Sequence, residues 1–158
     1  MSGERNKITL NEAKGRAQKY CAYQERSQKQ LRQKLYDLGL YKDEVEALIS
    51  DMILEGFINE ERFARSYVGG KFRMKKWGRQ KILLGLKQHD ISEYCCKKGL
   101  EEIDEQEYQQ VLTVLLSKRF AKLDEDNMYI KRNKVASFAI SKGFEADLVW
   151  ELLKENFS

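Results

Sequence analysis

Apolar residues recur through this chain at intervals of three and four, the spacing that gathers side chains on one face of a helix. Thr9 and Glu12 form a T-x-x-E capping box that starts a helix near Leu10, and Ala13, Ala17, Tyr20 and Cys21 carry it to about Gln24. Ser27 with Gln30 opens a second helix bearing Leu31, Leu35 and Leu38, closed by Gly39. A third, about Lys42 to Glu55, presents Val45, Leu48, Ile49, Met52 and Ile53 and ends at Gly56. Asn59 caps the next, with Glu60 and Glu61 in the first turn, where the helix dipole favours negative charge. Phe63, Ala64, Tyr67, Val68 and Met74 lie on one side of it. Asp104 and Glu107 stand as cap and third residue of a helix through Tyr108, Val111, Leu112, Leu115 and Leu116 to about Leu123. Asp124 to Asp126 mark a turn, and a last helix, about Glu145 to Asn156, carries Leu148, Val149, Trp150, Leu152 and Leu153. Trp150 is expected in the core or in inter-repeat packing. Residues 1–8 read as a loose tail.

The pattern returns. Leu31, Leu35, Leu40, Val45 and Ile49 map at an offset of 51 residues onto Ile82, Leu86, Ile91, Cys96 and Leu100. A further offset of 53 reaches Val135, Ala139, Phe144, Val149 and Leu153. Gly39 and Gly143 match as helix-ending glycines, with Asp90 at the middle position. Three copies near fifty residues, each too small to bury its own face fully, are the signature of a stacked helical array. The expected fold is all-α: three tandem three-helix repeats over residues 9–57, 58–103 and 104–158. The absence of proline from all 158 residues agrees with helices joined by short connections.

Charge adds what periodicity cannot. The net formal charge of +4 is unevenly spread. Residues 1–57 carry 10 basic and 9 acidic groups, residues 58–100 carry 11 and 4, and residues 101–158 carry 8 and 12. From Arg62 to His89 there are nine Lys or Arg and no Asp or Glu. On a helical projection Arg62, Arg65, Arg73 and Lys76 fall in a narrow arc opposite the apolar side, with Gly69 in its middle, while Lys71 projects toward the apolar side. Cations without interleaved acids forgo the i,i+4 pairing of an ordinary surface helix and suit a polyanion. The candidate contacts are Arg62, Arg65, Arg73, Lys75, Lys76, Arg79, Lys81 and Lys87, with Lys131, Arg132 and Lys134 as a second patch. Their role would be phosphate contact without base readout. Gly69-Gly70 within the helix costs about 1 kcal/mol per Gly relative to Ala, so a bend or a close backbone approach should compensate.

Catalytic chemistry is not indicated. No G-x-x-x-x-G-K-[ST] loop, G-x-S-x-G elbow or H-E-x-x-H helix occurs. Adjacent carboxylates such as Glu60-Glu61 point to different sides of a helix and do not make a two-metal site. Cys21, Cys95 and Cys96 fit neither a disulfide framework nor a C-x-x-C pair, and with one histidine a zinc site is not expected. They read as small buried hydrophobes in a reducing cytosol. The N-terminus lacks an apolar signal region, and the longest apolar patch, Val111 to Leu116, is too short to span a bilayer. A cytoplasmic, monomeric protein without cofactor or membrane partner is expected. The acidic run 101–107 reads as a complement to the helix dipole, with an arm that contacts a basic protein surface or repels DNA locally as the alternative.

The run Ile58-Asn59-Glu60-Glu61-Arg62-Phe63-Ala64, then Tyr67, then Gly78-Arg79-Gln80-Lys81-Ile82 with Leu86 and Ile91, resembles the central signature of the RecX family. Arg26-Ser27, Gln30-Leu31, Lys34-Leu35 and Gly39 are similar to its opening motif, and Val135 with Ser141-Lys142-Gly143-Phe144 to its closing one. The resemblance covers the chain from about Thr9. It implies three three-helix repeats in an elongated, curved array that binds the RecA recombinase filament on DNA, restrains filament growth, ATP hydrolysis and strand exchange, and is no enzyme. It departs from the family pattern at Glu60, where Asp is common, at Arg79, where Pro often follows the Gly, and at Asp90, in place of Gly before Ile91. Two other readings of the basic stretch stay open: a stand-alone DNA-binding protein using a helix-turn-helix-like unit, with Gln80, Gln88 and Asn133 as its base-reading candidates, and a helical-repeat adaptor for an acidic protein.

Overall fold

A computed structural model describes residues 8–157; the seven residues before them, which include most of the expected tail, lie outside the described part. Within it the chain forms nine α-helices and no strand. They are α1 (Leu10–Tyr23), α2 (Gln28–Asp37), α3 (Lys42–Leu54), α4 (Glu60–Lys75), α5 (Arg79–Gln88), α6 (Glu93–Leu100), α7 (Glu105–Lys122), α8 (Met128–Ser141) and α9 (Ala146–Asn156). Every extensive helix pairing stays inside one of three consecutive triplets, α1–α3, α4–α6 and α7–α9, which is the tandem organisation that the repeat pattern predicts.

Local chemistry starts most of these helices. Thr9, Ser27, Asn59, Ser92, Asp104 and Asn127 each accept a hydrogen bond from the backbone N–H three residues on, satisfying one of the orphan donors of a helix start. At Ser27 the capping box is complete, since Gln30 Oε1 accepts from the Ser27 N–H at 2.9 Å.

The second helix of each triplet ends in the same way. Gly39, Asp90 and Gly143 all hold left-handed backbone, with φ of 96°, 58° and 103°. The following N–H reaches back five residues in each copy: Leu40 to Leu35 O (3.3 Å), Ile91 to Leu86 O (3.2 Å) and Phe144 to Ala139 O (3.3 Å). Asp90 thus takes the conformation that glycine takes in the other two copies. The fifteen repeat positions named above are all buried except Leu100, which is partly buried.

The interior divides unequally. The first triplet packs its own core from Ala13 to Ile58. The second and third share one continuous core from Phe63 to Leu153, joined through the tilted, contacting rings of Phe72, Tyr108 and Phe144, whose successive centroids are 5.7 and 5.1 Å apart. The backbones of these two triplets also touch. Gly78 N donates to Lys142 O at 2.8 Å and Gln80 N to Gly143 O at 2.9 Å. A β-carbon at Gly78 would lie 2.3 Å from the carbonyl carbon of Gly143, so no other residue fits there. Within the second triplet, Gly99 lets α6 lie against the backbone of Ala64 on α4.

Three expectations from the apolar pattern fail in detail. Met74 is 83% exposed and Phe72 is buried in its stead, because α4 turns the arc from Phe63 round to Phe72 inward along its length. Ile53 is 41% exposed, since Met52 completes the buried face of α3. Trp150 is 40% exposed, because Val149, Leu152 and Leu153 occupy the inner face of α9. The three cysteines are buried and free, and burial pushes the Cys21 thiol up to about 11.

Candidate nucleic-acid interface

The basic stretch of the second triplet divides into cations already engaged and cations left over. Arg62 belongs to the first group. Its Nε donates to Glu25 Oε2 at 2.6 Å, and Nη2 reaches the carbonyls of Gly56 (3.0 Å) and Phe57 (3.3 Å). It therefore ties α4 to the first triplet. Arg65 sits among three carboxylates: Glu61 on its own helix (3.1 Å), Glu102 (3.2 Å) and Glu101 (3.5 Å) beyond α6. Arg79 bridges to the third triplet through Glu145 at 2.8 Å and Glu105, and its guanidinium lies 3.8 Å above the Tyr108 ring. Tyr108 is fully buried, with its hydroxyl accepting from Arg79 N–H (3.0 Å) and donating to Glu145. Burial opposes ionisation of Glu145, but the donors Tyr108 and Arg79 outweigh it and hold this carboxyl below its ordinary range.

Lys81 and Lys71 flank Trp77, their ammonium nitrogens 4.5 and 4.8 Å from the ring centroid. Lys71 lies in addition 5.4 Å from the Tyr67 ring, which is how it sits on the apolar side of α4. In the third triplet Arg132 is turned onto the carbonyl of Phe157 (2.6 and 3.0 Å), Lys134 pairs with Glu125 (3.4 Å) and Lys131 lies over Phe120 (4.3 Å). The structure brings this second patch no closer to a single cationic surface than the sequence does, because each member is committed to a different local partner.

Arg73, Lys75, Lys76 and Lys87 remain, exposed and with no acidic partner among the described residues. Three of them end α4. Arg73 and Lys75 occupy its last turn, where cations suit the dipole, and Lys76 caps it in left-handed backbone with φ 58°. Lys76 thus leaves the helix and the arc in which a straight projection places it. An L-residue held in that region costs about 1–2 kcal/mol relative to Gly.

Sequence reasoning missed the neighbour of this cluster. Lys76 lines a groove of about 360 Å³ together with Gln110, Val111, Val114, Leu115 and Lys118 of α7, so a cation of the third triplet joins those ending α4. The only linear hint is the pair Lys118-Arg119 in an otherwise apolar run. None of the described helices is long and apolar enough to cross a membrane.

Three family models match in tandem: RecX, first three-helix domain, over residues 13–52; second three-helix domain, over 59–100; and third three-helix domain, over 105–153. The chain belongs to the RecX family. Among curated relatives, the regulatory protein RecX of Clostridium botulinum is 28% identical over 132 residues, covering 82% of this chain and 61% of that protein. This chain therefore spans less than two thirds of that relative. The regulatory protein RecX of Prosthecochloris aestuarii is 25% identical over 156 residues, covering 98% and 97%. The crystal structure of RecX from Lactobacillus salivarius superposes with a TM-score of 0.83 at 24% identity, over 92% of this chain and 95% of that one, and shares its fold. The RecX domains coincide with the three helix triplets, and the second of them contains the cations left without partners.

Proposed function

We propose that this chain is a RecX-type regulator that binds the RecA–DNA nucleoprotein filament from the cytoplasm, as a monomer, and restrains ATP hydrolysis and strand exchange by occupying the filament and not by catalysis. The observation that carries this reading is the separation of the cations. Arg62 and Arg79 are consumed in ion pairs that join the triplets and Arg65 in pairs within the second, whereas Arg73, Lys75 and Lys76 stand exposed at the end of α4, with Lys118 beside Lys76 in one groove. Unpaired cations crowded at one helix end repel each other unless a polyanion receives them. In this reading Arg73, Lys75, Lys76 and Lys87 make the phosphate contacts, and the paired arginines hold the triplets in the orientation that presents them.

The test is RecA-dependent ATP hydrolysis on single-stranded DNA with substoichiometric amounts of this protein, beside direct binding to the same DNA across a salt series. The wild-type protein is expected to lower the rate. Replacing Arg73, Lys75 and Lys76 with Ala is expected to weaken the effect and to reduce the log–log salt slope by about 2, at about 0.7 per lost single-strand phosphate contact. A rate untouched by the wild-type protein refutes the filament reading, and an unchanged slope removes these three cations from the contact.

A further inference from the structure

A second cleft lies between the first and second triplets, and it explains a feature that the fold leaves unused. Gly70 sits in the interior of α4, where glycine weakens a helix. A β-carbon built there meets nothing within 4 Å, so no packing inside the chain requires glycine. Gly69 differs, since a β-carbon there would strike the guanidinium of Arg73. Gly70 opens instead onto a cleft of about 360 Å³, within the range of small-ligand pockets (about 300–1,000 Å³).

The lining of the cleft is chemically mixed. On one side stand the rings of Phe63, Tyr67 and His89, with centroids 5.1 to 5.8 Å apart, and Met74, which is 83% exposed. Gln24, Glu25 and Gln30 of the first triplet belong to the lining. One oxygen of Glu25 holds Arg62, while the other, Oε1, is buried with no donor among the described residues. A buried carboxylate oxygen without a donor is costly, and Glu25 is the acidic member of the lining. Lys71 and the exposed, unpaired Lys75 line the cleft as well.

This charge layout selects the ligand class. An acidic peptide would bring carboxylates against Glu25, and a basic one would meet Lys71 and Lys75. A nucleotide carries neutral N–H donors and a flat apolar face on its base, and its negative charge outside on the phosphate. We propose that this cleft receives an unstacked nucleobase of single-stranded nucleic acid: the base lies over Gly70 against Tyr67 and Met74, its N–H groups face Glu25, and its phosphate meets Lys71 and Lys75. The site deepens the function proposed above and rests on it only in taking nucleic acid as the ligand.

The test uses the full chain without RecA, at one salt concentration. A labelled oligothymidylate of about 12 nucleotides is compared with an abasic oligomer of the same length and phosphate number. Because stacking one base is worth roughly 5- to 150-fold in affinity, the wild-type protein should prefer the base-bearing strand by at least that lower factor. Gly70→Leu fills the open space with a better helix former, so its thermal midpoint should equal or exceed that of the wild type while the preference collapses to about one. Equal affinity of the wild type for the two oligomers overturns the proposal, as does a Gly70→Leu variant that keeps the preference. If Gly70→Leu leaves oligomer binding intact but abolishes the effect on RecA, the cleft takes a protein and the nucleobase site is refuted. If the base preference is found while the wild type leaves RecA unaffected, the site stands and the filament reading fails.

Discussion

Replacing Tyr108 by Phe isolates the polar lock between the second and third triplets. The ring stays in place, fully buried between Phe72 and Phe144, so apolar burial is unchanged. What is lost is one oxygen that accepts from the Arg79 N–H at 3.0 Å and donates to Glu145. The first of these is a neutral hydrogen bond, worth about 1 kcal/mol, and the second is made to a carboxylate, worth about 1.5–3 kcal/mol. Glu145 keeps its ion pair with Arg79 and recovers part of the loss, which puts the expected destabilisation at about 2–4 kcal/mol. For a domain of this size that lowers the unfolding midpoint by roughly 4–16 °C. The measurement is urea or thermal unfolding followed by far-UV circular dichroism, with Tyr94→Phe as the control. The Tyr94 ring is 64% exposed, and its variant should stay within about 0.5 kcal/mol of the wild type. The denaturant slope should not change, because both variants expose the same surface on unfolding. A Tyr108→Phe loss no larger than that of the control would refute the view that this hydroxyl joins the triplets.

Gly78→Ala should cost about 2–4 kcal/mol, since its β-carbon would lie 2.3 Å from the backbone of Gly143 and break the two inter-triplet hydrogen bonds; Gly70→Ala, in open space, should stabilise by up to about 1 kcal/mol, and denaturation curves of the two variants compare them directly. Lys76→Gly should raise stability by about 1 kcal/mol by removing a left-handed lysine, while lowering the single-strand salt slope by about 0.7; a gain without the loss would mean that Lys76 touches no phosphate. His89, the only histidine, is held below its ordinary pKa by burial and by Lys29 and Lys71, with Ser27 Oγ 3.1 Å from its Nδ1 and Asp90 acting in the opposite direction. The unfolded chain then takes up this proton first as pH falls, so stability should decline as pH drops below about 6.5 and level off once the folded ring protonates as well. The depressed carboxyls of Glu46, Glu60, Glu125 and Glu145 act only further into acid, so a thermal midpoint of His89→Gln that stays flat from pH 7 to about 5.5 checks the assignment.

Much of this fold was legible one residue at a time because the signals act over three or four positions. Thr9, Ser27, Asn59 and Asp104 cap the helices they were expected to cap, since a side chain reaching its own next turn needs nothing from elsewhere. The fifty-residue echo of Leu35, Leu86 and Ala139 marked the three triplets for the same reason, and the left-handed turn beyond each followed. The fate of the cations was not legible. Arg65 meets Glu102 across 37 residues and Arg79 meets Glu145 across 66, so an acid-free stretch in the sequence is partly neutralised in space by carboxylates distant along the chain. Linear charge counting has no access to such partners, because Coulomb attraction depends on distance and not on position in the chain. Nor could periodicity tell that the second and third triplets share a core while the first keeps its own, because a buried face looks the same whichever neighbour covers it. Helix ends, turns and the repeat were settled by local geometry; which arginines hold the molecule together and which cations stay without an acidic partner among the described residues was decided only when the helices packed.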